Sequence, residues 1–471
     1  MEKEKTNKEV PPKMRDFFFQ VVVKFRDEQS LFDLRNGHDI DFGLLDSVIP
    51  WRQFRNSIPD IKVHRLFTSL STDEINTLVE RARSLDSNYR PPNFFFYYVI
   101  GVPTETDART VWQALAENKN VEWTYIVNDS TPPNALPIEV DSVDIAREHL
   151  GRAPYGINAE YAWGFKGGDG EGQVKFIDIE QGWILDHESI QVSTLPTTGF
   201  NHVFHDHGAA ALGVVMMTKN DNTKRGIVPK VNGYVVSQWR PAGFLNNADA
   251  IMAALRHLEF GDVILLQAQV RDLSIAKKLW PVEAHRANFD ALRLAAALGI
   301  IVVEPAANGS MYFNFSNDLD YLVQDGRRIL NRTDANFRDS GAIVVAGAST
   351  SAPHKKIPNS NYGSRVDCYA WGENVFSAGN FPNSSNGAID RYTTQFSGTS
   401  SAAAIIAGVV IALQSIMEAN LNFRLGPVEM RRILSCELYG TPSGNGHSID
   451  KIGVMPDLKK IINNTVFLSA T

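Results

Sequence analysis

The sequence predicts an α/β domain built on a mostly parallel sheet, preceded by a small α+β domain. After residue 141 the apolar stretches 174–177, 263–266, 300–303 and 343–345 are near-continuous runs of β-branched and apolar residues, as strands buried on both faces require. Helical stretches at 248–258 and 285–298 alternate with them, the pattern of parallel strands joined by crossovers. Upstream the pieces are shorter, and 129–136 (DSTPPNAL) separates the two textures. Its two prolines and small polar residues disfavour both helix and sheet, so an extended connector is expected there.

These boundaries divide the chain into a tail, 1–15, a first domain, 16–128, a linker, 129–140, and a second domain, 141–471. The start of the tail (MEKEKTNKEVPPK) alternates acid and base and has no apolar core of the kind a secretion signal needs, which predicts a solvated segment. In the first domain, 17–25 (FFFQVVVKF) and 94–102 (FFFYYVIGV) are β-branched and aromatic runs of strand length. Residues 61–67 alternate with period two, and 121–127 (VEWTYIV) supplies a fourth strand. Ser71 and Glu74 form a capping box ahead of Ile75, Leu78, Val79, Ala82 and Leu85, a stripe at helical spacing. A second helix is predicted over 106–117, and both helices are expected on one face of the four-stranded sheet.

A length of 471 residues suggests about three domains at roughly 150 residues each, but the continuous α/β pattern after 141 reduces this to two. Lys and Arg total 46 against 53 Asp and Glu, a net charge of −7, so nothing draws the chain toward nucleic acid or an anionic membrane. Cys368 and Cys436 are the only cysteines, too few for a disulfide framework. The apolar run 402–413 (AAAIIAGVVIAL) is 12 residues long where a membrane span needs about 20, so a buried core helix is predicted.

Functional groups in a parallel sheet collect where strands end and loops begin. Asp178 follows the apolar run 174–177; alone, it reads as a turn or cap residue. His207 opens a run of small residues (HGAAALG), Asn308 lies in an Asn-Gly turn after the strand 300–303, and Ser400 precedes the buried helix, where a serine is ordinarily an N-cap. Together, in the order acid, histidine, amide, serine, they form an acyl-transfer set. The serine hydroxyl needs a neutral imidazole to take its proton, the imidazole needs a carboxylate on its other nitrogen, and the oxyanion needs preorganised donors.

On these residues the chain resembles the subtilisin-like serine proteases. Residues 176–179 (FIDI) resemble the family's aspartate block, His207-Gly208 with Gly213 its histidine block, 306–308 (AAN) its oxyanion block, and 398–402 (GTSSA) with Ala407-Gly408 its serine block. The stretches 153–163 (APYGINAEYAW) and 361–372 (NYGSRVDCYAWG) are also similar, so the resemblance covers about 141–436. It implies a subtilisin-like three-layer α/β domain, and a serine endopeptidase with Asp178, His207 and Ser400 as triad and Asn308 in the oxyanion hole.

Three departures stand out. Behind the acid the family commonly has a small residue and glycine, whereas Asp178 is followed by Ile-Glu-Gln-Gly-Trp183. The serine block lacks its usual proline. Where the family has a Ser-Leu-Gly-like edge that pairs with substrate backbone, this chain has Gln267, Ala268 and Gln269, expected to keep the strand edge but to alter subsite preference.

By layout the first domain resembles the family's propeptide, a ferredoxin-like α+β domain, with an extra helix at about 73–85. The resemblance implies an intramolecular inhibitor, a zymogen, with 121–133 leading into the cleft and cleavage between 128 and 140. No cofactor is required; calcium sites are common in the family, but no ligand set is identifiable. The expected partners are a polypeptide substrate and the chain's own first domain, without nucleic acid or membrane. The absence of a signal-like start leads to an expected cytoplasmic location, with export by another route left open.

Three rival readings fit less well. An α/β-hydrolase esterase needs Gly-x-Ser-x-Gly and the order Ser, Asp, His, neither of which is present. His205-Asp206-His207 has zinc-type ligands, but no compact spacing joins it to His202 or to Asp186-His187. The run 167–172 (GGDGEG) precedes a strand where a phosphate loop follows one. A catalytically silent subtilase-fold binding module is the alternative from another class.

Overall fold

The computed structural model describes residues 19–27, 42–128, 147–195, 199–218, 225–241, 243–271, 278–309, 317–324, 326–379 and 392–465. The expected tail, the linker and the expected cleavage region beyond Asn128 lie outside these residues.

The first domain contains β1 (Phe19–Phe25), β2 (Lys62–Arg65), β3 (Tyr97–Val102) and β4 (Val121–Asn128) in an antiparallel sheet of order β2-β3-β1-β4. Strand β3 starts at Tyr97 because Phe94–Phe96 turn as a 3-10 helix under an Asn93 cap. The helix Thr72–Leu85 begins at the expected capping box, with Ser71 Oγ accepting from Glu74 N.

The expectation of two helices on one face is corrected. Val21, Val23, Tyr98, Ile100 and Ile126 form one sheet face, clustered with Val111 and Leu115 of Glu105–Ala116 and with residues of Phe42–Val48 and Trp51–Ser57, two helices the sequence reading missed. Val22, Tyr97, Val99 and Tyr125 point the other way and join the core of the second domain, as do Ile75, Leu78 and Ala82 of Thr72–Leu85. That helix packs on Arg286–Ala297. An amphipathic stripe specifies that a helix buries one face, not which surface receives it.

The second domain is built on nine strands in the order β16-β17-β13-β12-β11-β8-β5-β7-β6. These are β5 (Lys175–Glu180), β6 (Ser193–Thr194), β7 (Asn232–Ser237), β8 (Val263–Leu266), β11 (Ile301–Pro305), β12 (Ile343–Ala348), β13 (Cys368–Trp371), β16 (Gly440–Pro442) and β17 (Val454–Pro456). All pairings are parallel except β16 with β17 at the edge. Two short antiparallel ribbons accompany the sheet: β9 (Gln269–Arg271) with β10 (Leu279–Pro281), and β14 (Val375–Ala378) with β15 (Tyr392–Phe396).

Helices Thr399–Leu421 and His205–Met216 pack together, the former across β8, β11, β12 and β13. Asn247–Leu255 and Arg286–Ala297 pack against each other and against β7, β5 and β11, completing three layers. Thr399–Leu421 is long and apolar enough to cross a membrane, but its most apolar window is wholly buried. A helix that is apolar all round belongs in a large core.

The first domain docks on the layer carrying Asn247–Leu255 and Arg286–Ala297 through specific polar contacts. Asp249, paired to Arg240 at 3.2 Å, accepts from Thr68 N at 2.8 Å, Ser69 N at 2.9 Å and Ser69 Oγ at 2.5 Å. Arg240 also donates to Ser69 Oγ, and Tyr97 donates to Asp290 at 2.8 Å. A buried ion pair needs its remaining hydrogen-bonding positions filled, and Ser69 fills them from the other domain.

Candidate active site

The carboxyl ends of β5, β8 and β11 meet the starts of two helices. His205–Met216 begins behind Phe204, held at φ 55, and packs so closely on the turn after β5 that a Cβ at Gly208 would lie 2.1 Å from Gly182 O. This fixes His207 over the strand end. Thr399–Leu421 begins after Gly398, whose φ of 88 favours glycine, and presents Ser400 in its first turn.

His207 bridges two groups. Its Nε2 lies 3.0 Å from Ser400 Oγ and its Nδ1 2.6 Å from Glu180 Oε1. All three residues are buried. The expected place of Asp178 beside His207 is therefore corrected: Glu180 holds it. Side chains alternate along a strand, so Asp178 and Glu180 share a face of β5. Glu180 ends the strand and carries the longer side chain, while Asp178 lies two residues deeper and its Oδ2 accepts from Trp183 Nε1 at 2.8 Å.

One sequence signal marked Glu180. The glycine expected two positions behind the acid is Gly182, which stands two positions behind Glu180 and four behind Asp178. The turn needs it, since a Cβ there would approach Val203 O to 2.5 Å.

Burial shapes the electrostatics. It pushes His207 from 6.5 down to about 3, keeping the ring neutral and Nε2 able to accept a proton. Burial also raises Glu180 well above its ordinary value. Asp178 is raised by burial and then by Glu180, against the Trp183 hydrogen bond that lowers it.

Asn308 follows Ala307, a non-glycine residue at φ 71. Its Oδ1 accepts from Thr399 N and Thr399 Oγ1, both at 3.0 Å, which directs the amide nitrogen the other way. Asn308 Nδ2 is buried and has no hydrogen-bond partner among the described residues. Such a donor beside the serine-bearing helix start is placed to meet a developing oxyanion.

Gln267, Ala268 and Gln269 are buried. Gln267 Nε2 donates to Ser400 O at 3.0 Å, and Gln269 Oε1 accepts from Asn308 N at 3.1 Å. Gln238, which sequence reasoning missed, donates from Nε2 to Ile179 O and Gln267 O, tying β5 to this segment.

Among the described residues no group of three or more His, Cys, Asp or Glu side chains could hold a metal ion. Cys368 and Cys436 are free thiols.

Residues 186–444, more than half of the 471, match the subtilase family; that stretch contains His207, Asn308 and Ser400 and starts downstream of Glu180. Among solved structures, the chain is similar to the prenylagaramide maturation protease PagA, at 16% identity and TM-score 0.46 over 65% of this chain and 97% of that one. It is similar to fervidolysin from Fervidobacterium pennivorans, a keratinolytic enzyme related to subtilisin, at 16% and 0.49 over 87% and 64%. A protease from Pseudoalteromonas arctica PAMC 21717 aligns at 19% and 0.48 over 71% and 99%. No curated protein matches the chain. On the match over 186–444, the chain belongs to the subtilase family.

Proposed function

We propose that the chain is a serine endopeptidase that hydrolyses peptide bonds through an acyl-enzyme, with Ser400 as nucleophile, His207 as general base and acid, Glu180 as the carboxylate that orients His207, and Asn308 as oxyanion donor. The observation that carries the reading is His207, hydrogen-bonded between Ser400 Oγ and Glu180 Oε1.

Ser400 Oγ attacks the substrate carbonyl carbon while its proton passes to His207 Nε2. The oxygen takes up the negative charge and receives the hydrogen bond of Asn308 Nδ2. As the C–N bond breaks, His207 gives the proton to the departing amine. Water then attacks the acyl ester, its proton passing through His207 to Ser400 Oγ, and the carboxylic acid leaves. Glu180 holds the Nδ1–H tautomer throughout and stabilises the imidazolium formed in each half-reaction.

The first domain acts in this reading as an intramolecular inhibitor. It docks through Thr68, Ser69 and Tyr97, and its last strand, β4, packs against β9 beside the site. Carried on the same chain, this domain acts at a high effective concentration. The proposed location is cytoplasmic, no cofactor is required, and the partners are a polypeptide and this domain.

The test is hydrolysis of an unstructured protein by wild type, Ser400→Ala and His207→Ala. The wild type is expected to generate internal fragments and both variants to lose activity by orders of magnitude. Equal fragmentation by Ser400→Ala would overturn the reading.

A further inference from the structure

The space beside Asn308 decides which residue can contribute the carbonyl that Ser400 attacks. That carbon must lie against Ser400 Oγ with its oxygen toward Asn308 Nδ2. A substrate backbone approaching along 267–269 then directs the side chain of its acyl residue between that segment and the loop 306–308. In this chain the side chain of Gln269 spans from that segment to that loop.

Gln269 crosses it from β9, its Oε1 accepting from Asn308 N at 3.1 Å. Strand β10 pairs with β9 from Pro281 opposite Gln269 to Leu279 opposite Arg271. The Asn361 amide then ties β10 to the far wall, Nδ2 donating to Leu279 O at 2.9 Å and to Ala306 O at 2.7 Å. Gln269, Ala306 and Trp280 are buried, at most 3% exposed. Moving Gln269 aside would leave the backbone N–H of Asn308, the residue that must hold the oxyanion, without its side-chain acceptor.

We infer that the site accepts only a small acyl residue, glycine, alanine or serine, and that Gln269 is the side chain that excludes larger ones. The inference rests on the serine peptidase reading and adds its substrate class: peptides cut after a small residue. A phenylalanine side chain would have to displace the Gln269 bridge to enter.

The test uses the full chain with peptidyl diphenyl phosphonates, in which Ser400 Oγ bonds to phosphorus, phenol leaves and His207 relays the proton. The phosphorus-bearing unit is the analogue of Ala or of Phe. A simple alkyl fluorophosphonate, which has no residue side chain, serves as the control. The Ala analogue is expected to label wild type at least about 100-fold faster than the Phe analogue, and Gln269→Gly to narrow that ratio at least tenfold. Gln269→Glu, which keeps the length, should hold the ratio. Equal or faster labelling of wild type by the Phe analogue overturns the inference, as does an unchanged ratio in a Gln269→Gly protein that the fluorophosphonate still labels. If the fluorophosphonate fails to label wild type, the peptidase reading itself falls, and the inference with it.

Discussion

Replacing Glu180 by Gln exchanges a carboxyl for an amide while keeping the side chain's size. In the native site Glu180 Oε1 lies 2.6 Å from His207 Nδ1, with both residues buried. A glutamine can turn its NH2 toward Nδ1, which then becomes the acceptor. The ring proton moves to Nε2, the nitrogen that must take the proton of Ser400 Oγ. In serine proteases an amide in this position costs about 10⁴ in kcat, or about 5.5 kcal/mol of transition-state stabilisation. Asp178→Asn is the paired control: Asn keeps an oxygen to accept from Trp183 Nε1. Steady-state hydrolysis of the peptide that wild type cleaves best should give a kcat loss of about 10³ to 10⁴ for Glu180→Gln, and less than about tenfold for Asp178→Asn. The reverse ranking would refute the assignment of Glu180 and return the role to Asp178.

Three other outcomes are expected. Asn308→Ala should lower kcat by about 10² to 10³ with little change in KM, and an unchanged kcat would remove Asn308 from the oxyanion role. Because His207 is held near 3, kcat/KM should keep its value well below pH 6.5; the same group makes the unfolded chain the stronger proton binder between 6.5 and 3, so stability measured by denaturant midpoints should fall as pH drops through that window. Ser69→Ala removes a hydroxyl that donates to Asp249 and accepts from Arg240, weakening docking of the first domain by about 1.5 to 3 kcal/mol. Hydrogen exchange should then rise in β4 relative to β5, and equal protection in both proteins would place the docking energy elsewhere.

The parallel sheet was legible because buried strands such as 263–266 and 343–345 consist of apolar residues throughout, and the central helix because 402–413 is apolar on every face, although the full helix is long enough to span a bilayer and only its burial identifies it as core. His207 and Ser400 were legible for a different reason: small residues such as Gly208 and Gly398 must flank them for the close approach and backbone angle the site needs. Asp178 was expected beside His207 because two carboxylates alternate on one strand face, and their local pattern does not say which reaches the imidazole. Only the three-dimensional offset of the helix His205–Met216 against β5 decides it. Thr72–Leu85 was found by its capping box and placed on the wrong surface, since a stripe carries no address. Helices Phe42–Val48 and Trp51–Ser57 are about two turns each, too short for their periodicity to stand out.

The claim on which everything else depends is that Ser400 is a nucleophile activated by His207. The direct measurement is intact-mass analysis of the full chain after exposure to an alkyl fluorophosphonate, followed by peptide mapping. One phosphonyl group on Ser400, absent from Ser400→Ala and slowed by orders of magnitude in His207→Ala, is the predicted result. An unmodified wild-type chain, or label on any other residue, would contradict it.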